Sequence, residues 1–232
     1  MLGREKIILC ATLKDMNKKF WIVFVVIILG VFGLAISSSK KDGASTRKIE
    51  DPTVVQVDDH IRGKSDSKVY VINYGDFECP ACNAWEPELQ TIQKEYGDRV
   101  AFIFRHFPLT DKHVNAFAAA RASEAAAKQG KFWEMHDKLY ATWSEWKGDN
   151  KSAQTKFEGY AEQLGLDMSK FKEDYASEGV ADRINSDLSS ASKVGATGTP
   201  TFLINGERVE LDSVSEGKTK LRELLDQKLA QQ

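Results

Sequence analysis

Cysteine is scarce in this chain: there are three in 232 residues, and only Cys79 and Cys82 lie beyond a hydrophobic N-terminal segment. No second Cys-x-x-Cys and no His-x-x-x-His pair is present, so the well-spaced ligands of a structural zinc site are missing. His113 and His136 read instead as capping or satisfied polar residues, and no metal is expected at His106 either. There is no block of basic residues and no basic patch interleaved with aromatics, which argues against nucleic acid as a partner. No internal repeat and no dimerisation segment is evident.

One long uncharged stretch is there, the 17 residues from Phe20 to Ile36. At about 1.5 Å per helical residue it is near the lower limit for crossing a bilayer. It is also slightly longer than the apolar part of a signal peptide. The preceding residues 1–19 carry Arg4, Lys6, Lys14, Lys18 and Lys19 against Glu5 and Asp15, an excess that holds such a tail in the cytoplasm. The expectation is a cell-membrane protein with a single pass over 20–36 and its remainder outside. A secreted form is the alternative, since Gly33-x-Ala35 and Ala35-x-Ser37 offer weak cleavage sites. Cys10 then sits in the cytoplasmic tail, separated from the other two cysteines, as a reduced thiol without special role. Residues 37–66 read as a linker with a possible first strand at Thr53 to Val57.

Cys79 and Cys82 stand in Asp76-Phe77-Glu78-Cys79-Pro80-Ala81-Cys82. A stapling disulfide gains from the loop it closes, and this loop is almost as short as possible, so the spacing points to redox chemistry. Before the pair, Lys68 to Tyr74 is rich in β-branched and aromatic residues and reads as a strand ended by Gly75 and Asp76. After it, Pro80 suits the first position of a helix that runs to Tyr96 and contains Pro87. Arg99 to Phe107 is the next strand, completing a βαβ unit with a parallel pair. From about 111 to 193 the pattern is helical throughout, with segments beginning near Ala116, Lys131, Ala153, Met168 and Val180. Thr201 to Ile204, an Asn205-Gly206 turn, a strand at Arg208 to Leu211 and a helix from Val214 to Leu229 close the chain.

This chain resembles the DsbA-like family of thiol-disulfide oxidoreductases. The resemblance rests on the Asp76 to Cys82 run, Pro87, Arg105-His106-Phe107-Pro108-Leu109, Gln129 to His136 and Gly198-Thr199-Pro200-Thr201-Phe202. It covers roughly Val69 to the C-terminus. It implies an α/β fold of the thioredoxin type over 67–232 with an inserted helical domain, preceded by an N-terminal transmembrane anchor or signal segment. It further implies exchange of disulfides with exported protein substrates that carry cysteine thiols, and a membrane quinone reductase that reoxidises the pair. Thr199 and a cis Pro200 would face the cysteines and offer backbone groups to a substrate strand.

The helix terminus favours a thiolate at Cys79, which makes Cys79 the expected nucleophile and Cys82 the thiol that resolves a mixed disulfide. Asp76 and Glu78 read either as solvated loop or capping residues or, with Glu78 the favoured one, as a partly buried carboxyl that shuttles the Cys82 proton. Trp85 is expected to cover the site. The expected function is a protein-disulfide oxidoreductase that needs no cofactor and forms disulfides in exported proteins. The same motifs would serve a thiol reductase or a disulfide isomerase, and a peptide-binding or folding module with a static disulfide is a rival of another class.

Overall fold

The computed structural model describes residues 49–148, 153–211 and 213–232. The expected tail and apolar run at 1–36 lie outside the described residues. Among those described, no helix is long and apolar enough to cross a membrane.

Five strands form one sheet: β1 (His60–Gly63), β2 (Tyr70–Gly75), β3 (Ala101–His106), β4 (Thr201–Ile204) and β5 (Glu207–Val209), in the spatial order β1-β3-β2-β4-β5. β2 and β3 are parallel, joined by α1 (Pro80–Tyr96), and every other pairing is antiparallel. β3 is buried along its whole length and β2 at all but Tyr70 and Asn73, which is why apolar residues follow one another in Val71-Ile72 and Ala101 to Phe104 instead of alternating. The last residue of β2, Gly75, has no room for a side chain, because a Cβ there would lie 2.4 Å from the Phe104 ring. The β4–β5 hairpin turns through Asn205 (φ 50°) and Gly206 (φ 83°), the two positive φ angles that a type I′ turn demands.

Between β3 and β4 lies the helical insert: α2 (Ala116–Ala127), α3 (Phe132–Ala141), α4 (Trp143–Trp146), α5 (Ala153–Gln163), α6 (Met168–Ala176) and α7 (Glu178–Lys193). A last helix, α8 (Val214–Ala230), packs beside α1 over one face of the sheet, with Val71, Phe102, Phe202, Leu89, Ile92 and Leu221 between them. Each large side chain buried in this way contributes about 1.5–3 kcal/mol. Ala191 on α7 covers Ile72, Ile103 and Leu203 on the opposite face. The insert has its own core of Met135, Leu139, Trp146, Phe157 and Phe171, and Phe77, Cys79, Cys82 and Phe104 join it. Both thiols therefore sit at the seam between sheet and insert.

Two expectations are corrected. Thr53 to Val57 forms turns rather than a strand, and the first strand is β1, whose sequence His60-Ile61-Arg62-Gly63 carries little β signal. The reason lies in Arg105 on β3, which is fully buried and donates to both carboxylate oxygens of Asp59 (3.0 and 2.7 Å), to the carbonyls of Pro52 and Val54 (2.7 Å each) and to the Tyr74 hydroxyl (3.0 Å). Those carbonyls are spent on the guanidinium, so the segment wraps the sheet instead of extending it. Trp85, in turn, does not cover the cysteines. It is buried between α1 and α8, its ring 5.2 Å from that of Phe202 and so close to Gly217 that a Cβ there would lie 2.7 Å away.

Candidate functional site

Cys79 is the residue that caps α1, with extended backbone (φ −66°, ψ 125°) and Pro80 in the first turn. Cys82 lies one turn further in. Both are buried, at 6% and 3% exposure. The loop that carries Thr199 and Pro200, joined by a cis peptide, comes against them just before β4, and the Cys79 thiol donates to the Thr199 carbonyl at 3.4 Å. The structure thus brings together four of the five residues expected at the site.

Charge is distributed unequally between the two sulfurs. The Cys79 thiol is lowered from 9.0 to about 5, first by the hydrogen bond from Cys82 and then, against the cost of burial, by Thr199 and by the backbone N–H groups of Cys82 and Ala81. The sulfur closes no capping hydrogen bond of its own, so these N–H groups act as the positive end of the helix across a longer distance. Thr199 Oγ1 is buried and has no hydrogen-bond partner among the described residues. It is a donor available to a thiolate. Cys82 is pushed well above 9.0 by burial and by the neighbouring Cys79 sulfur. One sulfur is built to be an anion and the other to stay a thiol.

Glu78 does not join them. Asp76 and Glu78 are 1% and 5% exposed, so the solvated-loop reading is corrected for both. Glu78 turns its carboxylate to the insert, where it accepts from the N–H groups of Asn115 (2.5 Å) and Gly148 (2.6 Å) and from Asn115 Nδ2 (3.5 Å). Asp76 accepts from the N–H groups of Glu78 (2.8 Å) and Leu109 (2.9 Å) and meets His113 Nδ1 at 2.6 Å. The two carboxylates rivet the cysteine loop to residues 109–115, and Trp143 donates to the Glu78 carbonyl at 3.0 Å. Sequence alone gave no sign of this closure, which depends on how the insert packs.

Other buried polar groups went unrecognised in the sequence. Glu124 of α2 receives His60 Nε2 at 2.6 Å and His106 Nε2 at 2.8 Å, with Arg183 Nε 3.5 Å from the same oxygen. These residues match the donor types of a metal centre. The adjacent guanidinium already supplies the counter-charge, and the arrangement reads as a pin between β1, β3 and the insert. Glu86, 5% exposed and four residues after Cys82, was detectable from its place on the buried face of α1. On the open side of the Thr199–Pro200 loop, a groove of about 250 Å³ runs between Thr197–Phe202 and Arg208–Leu211 along the edge strand β5.

The family model described as Thioredoxin matches residues 55–226. The Na(+)/H(+) antiporter NhaA 1 of Salinispora arenicola is 43% identical over 150 residues, covering 65% of this chain and 22% of the antiporter. The Na(+)/H(+) antiporter NhaA of Herminiimonas arsenicoxydans is 34% identical over 179 residues, covering 77% of this chain and 27% of that protein. The chain thus spans about a quarter of the length of the curated relatives it matches. A thioredoxin-like oxidoreductase from Silicibacter pomeroyi superposes with TM-score 0.63 at 25% identity, over 77% of this chain and 96% of that one. BdbD from Bacillus subtilis superposes with TM-score 0.60 at 25% identity, over 73% and 92%. Wolbachia pipientis alpha-DsbA1, at 22% identity and TM-score 0.65 over 77% and 94%, shares the fold.

Proposed function

Because this chain belongs to the thioredoxin family and has the DsbA-like form of its fold, with the helical insert, we propose that it is a protein thiol-disulfide oxidoreductase that donates its Cys79–Cys82 disulfide to other proteins. The observation that carries this reading is the asymmetry of the pair, a Cys79 sulfur held as an anion near neutral pH beside a buried Cys82 thiol. A substrate thiolate attacks the Cys79 sulfur, the Cys79–Cys82 bond breaks, and Cys82 leaves with the electron pair and takes up a proton. A second substrate thiolate then attacks the mixed disulfide and Cys79 leaves as a thiolate, so two substrate thiols are oxidised and two enzyme thiols formed. Thiolate stabilisation favours the reduced enzyme and makes the disulfide a better oxidant, each pKa unit being worth about 1.4 kcal/mol where it applies.

Cys79, Cys82, Thr199 and Pro200 carry the reaction. The groove along β5 is open enough to receive an extended peptide, whose main chain would lie beside the Thr199–Pro200 loop. Glu78 acts as a structural rivet. The basic tail and apolar run of the sequence support an extracytoplasmic site of action, anchored or secreted, with exported proteins as substrates. The likeness to the DsbA-like family alone suggests a membrane quinone reductase as the recycling partner.

Mixing the oxidised chain with a reduced peptide containing two cysteines tests the reading. One peptide disulfide is expected to appear for every two enzyme thiols formed. A chain disulfide that persists while the peptide stays reduced would contradict it and favour the static-disulfide module.

A further inference from the structure

Three groups able to ligate a metal ion converge where α1 meets the insert. Glu86 of α1 and His136 and Asp137 of α3 bring two carboxylate oxygens and one imidazole nitrogen within 4.8 Å of one another. His136 Nδ1 lies 2.9 Å from Asp137 Oδ1 and 3.9 Å from Glu86 Oε1. Ligands held about 2.1 Å from a tetrahedral zinc ion stand roughly 3.4 Å apart, so the two gaps straddle the edge of that polyhedron. The longer one is also too long for a hydrogen bond. Glu86 is 5% exposed, and the donor that reaches its Oε1 is the neutral amide of Gln90, at 3.1 Å. A carboxylate buried to this degree calls for a positive partner in closer contact than His136 provides.

A second observation points to the same place. A cavity of about 20 Å³ has Asn73, Glu86, Gln93 and His136 among its walls. Asn73 Oδ1 is sealed from solvent and has no hydrogen-bond partner among the described residues. A buried amide oxygen without a donor is costly, and amide oxygens are ordinary ligands of cations. The surroundings also orient the ligands from outside. Gln90 Nε2 holds Glu86 Oε1, and Arg62 Nη2 holds Asp137 Oδ2 at 2.8 Å, which leaves Oδ1 turned to His136. This separates the cluster from that of His60, His106 and Glu124, where Arg183 Nε stands 3.5 Å from the very oxygen that would ligate. Two carboxylates against the single guanidinium of Arg62 leave an excess of negative charge for an ion to meet.

We propose that Glu86, His136 and Asp137, with Asn73 Oδ1 as fourth donor, form a site for a divalent cation of the zinc type. Imidazole together with carboxylates is a donor set of zinc and its neighbours in the transition series, whereas calcium and magnesium take oxygen ligands throughout. Four protein ligands close the coordination shell, which is the mark of a structural ion. The ligands come from β2, α1 and α3, so the ion clasps sheet, cysteine-bearing helix and insert at one point. Without it, His136 joins α3 to the cysteine loop only by packing against Phe77, with ring centres 5.4 Å apart. The inference does not depend on the oxidoreductase reading.

The full chain with its Cys79–Cys82 disulfide formed is the form to test, because free thiolates would bind zinc themselves. Stripped with a chelator and titrated with zinc chloride against a chromogenic competitor, it is expected to take up one zinc ion per chain and to melt at a higher temperature with zinc than without. Glu86→Gln and His136→Asn keep the shape of each side chain. Each is expected to weaken zinc binding about a hundred-fold or more and to erase the rise in melting temperature. Asp137→Asn changes a side chain that is 40% exposed and gives the same reading if a buried variant does not fold. Equal uptake by all three variants would place the zinc elsewhere and overturn the site. So would no uptake by the oxidised chain, which would leave the cavity to water, or a preference for calcium over zinc.

Discussion

Replacing Cys79 by serine is expected to abolish disulfide exchange, by about a thousand-fold or more, since the step loses its only activated sulfur. Cys82→Ser is expected to behave differently. It keeps the nucleophile and accumulates a mixed disulfide with the substrate, because the thiol that resolves it is gone. The pH dependence follows from the Cys79 thiolate. Attack by reduced Cys79 is expected to be nearly flat above about pH 5 and to fall about ten-fold per unit below it, and the thiolate absorbance should titrate at the same point. Cys82→Ala should move that titration upward, because the hydrogen bond from Cys82 is its largest cause. The depressed ionisation stabilises the folded reduced form fully above the ordinary value of 9.0. That contribution declines as the pH falls and is gone below about 5. The oxidising power that comes from it declines over the same window. Alkylation rates and ultraviolet titration across pH 3–10 check each of these results.

Arg105→Met is expected to destabilise the chain by about 3–5 kcal/mol, the usual cost of leaving one partner of a buried ion pair uncompensated. Asp59, at 0% side-chain exposure, would lose the guanidinium that pairs with it, and the Pro52 and Val54 carbonyls and the Tyr74 hydroxyl would each lose a donor. The melting point should drop by about 6–20 °C for a domain of this size. Arg105→Lys should recover little of the loss, because an ammonium cannot fill the five-donor fork. The consequence for function is local. β3 runs parallel to β2, which leads into the cysteine loop, so the pin on Arg105 steadies the strand pair from which α1 starts. Thermal unfolding of the two variants measures it.

The sequence revealed the site's two halves because both are written in short local motifs. Cys79-Pro80-Ala81-Cys82 marks a strand-to-helix junction, and Gly198-Thr199-Pro200 precedes a strand that its β-branched residues announce. Asn205-Gly206 fixed the hairpin for the same reason, and the insert's helices showed in their periodicity. What stayed hidden depends on contacts distant in sequence. β1 is a strand because β3 offers it an edge, while Thr53 to Val57, richer in β formers, is denied that role by Arg105. Asp76 and Glu78 look like loop carboxylates until the insert folds over them and presents Leu109, His113, Asn115 and Gly148 as partners. An arginine inside the apolar run Phe102-Ile103-Phe104-Arg105 was itself a signal, since such a residue is buried only when paired. Its partner forty-six residues upstream was not readable.

The central claim is that the Cys79–Cys82 pair acts as a disulfide donor, and its reduction potential tests this most directly. Equilibration of the full chain in glutathione buffers, followed through tryptophan fluorescence, is predicted to place the couple above about −180 mV, on the oxidising side of disulfide isomerases and toward the roughly −120 mV of a strong oxidant with this fold. A value near −270 mV, the poise of a thioredoxin reductant, would contradict the account.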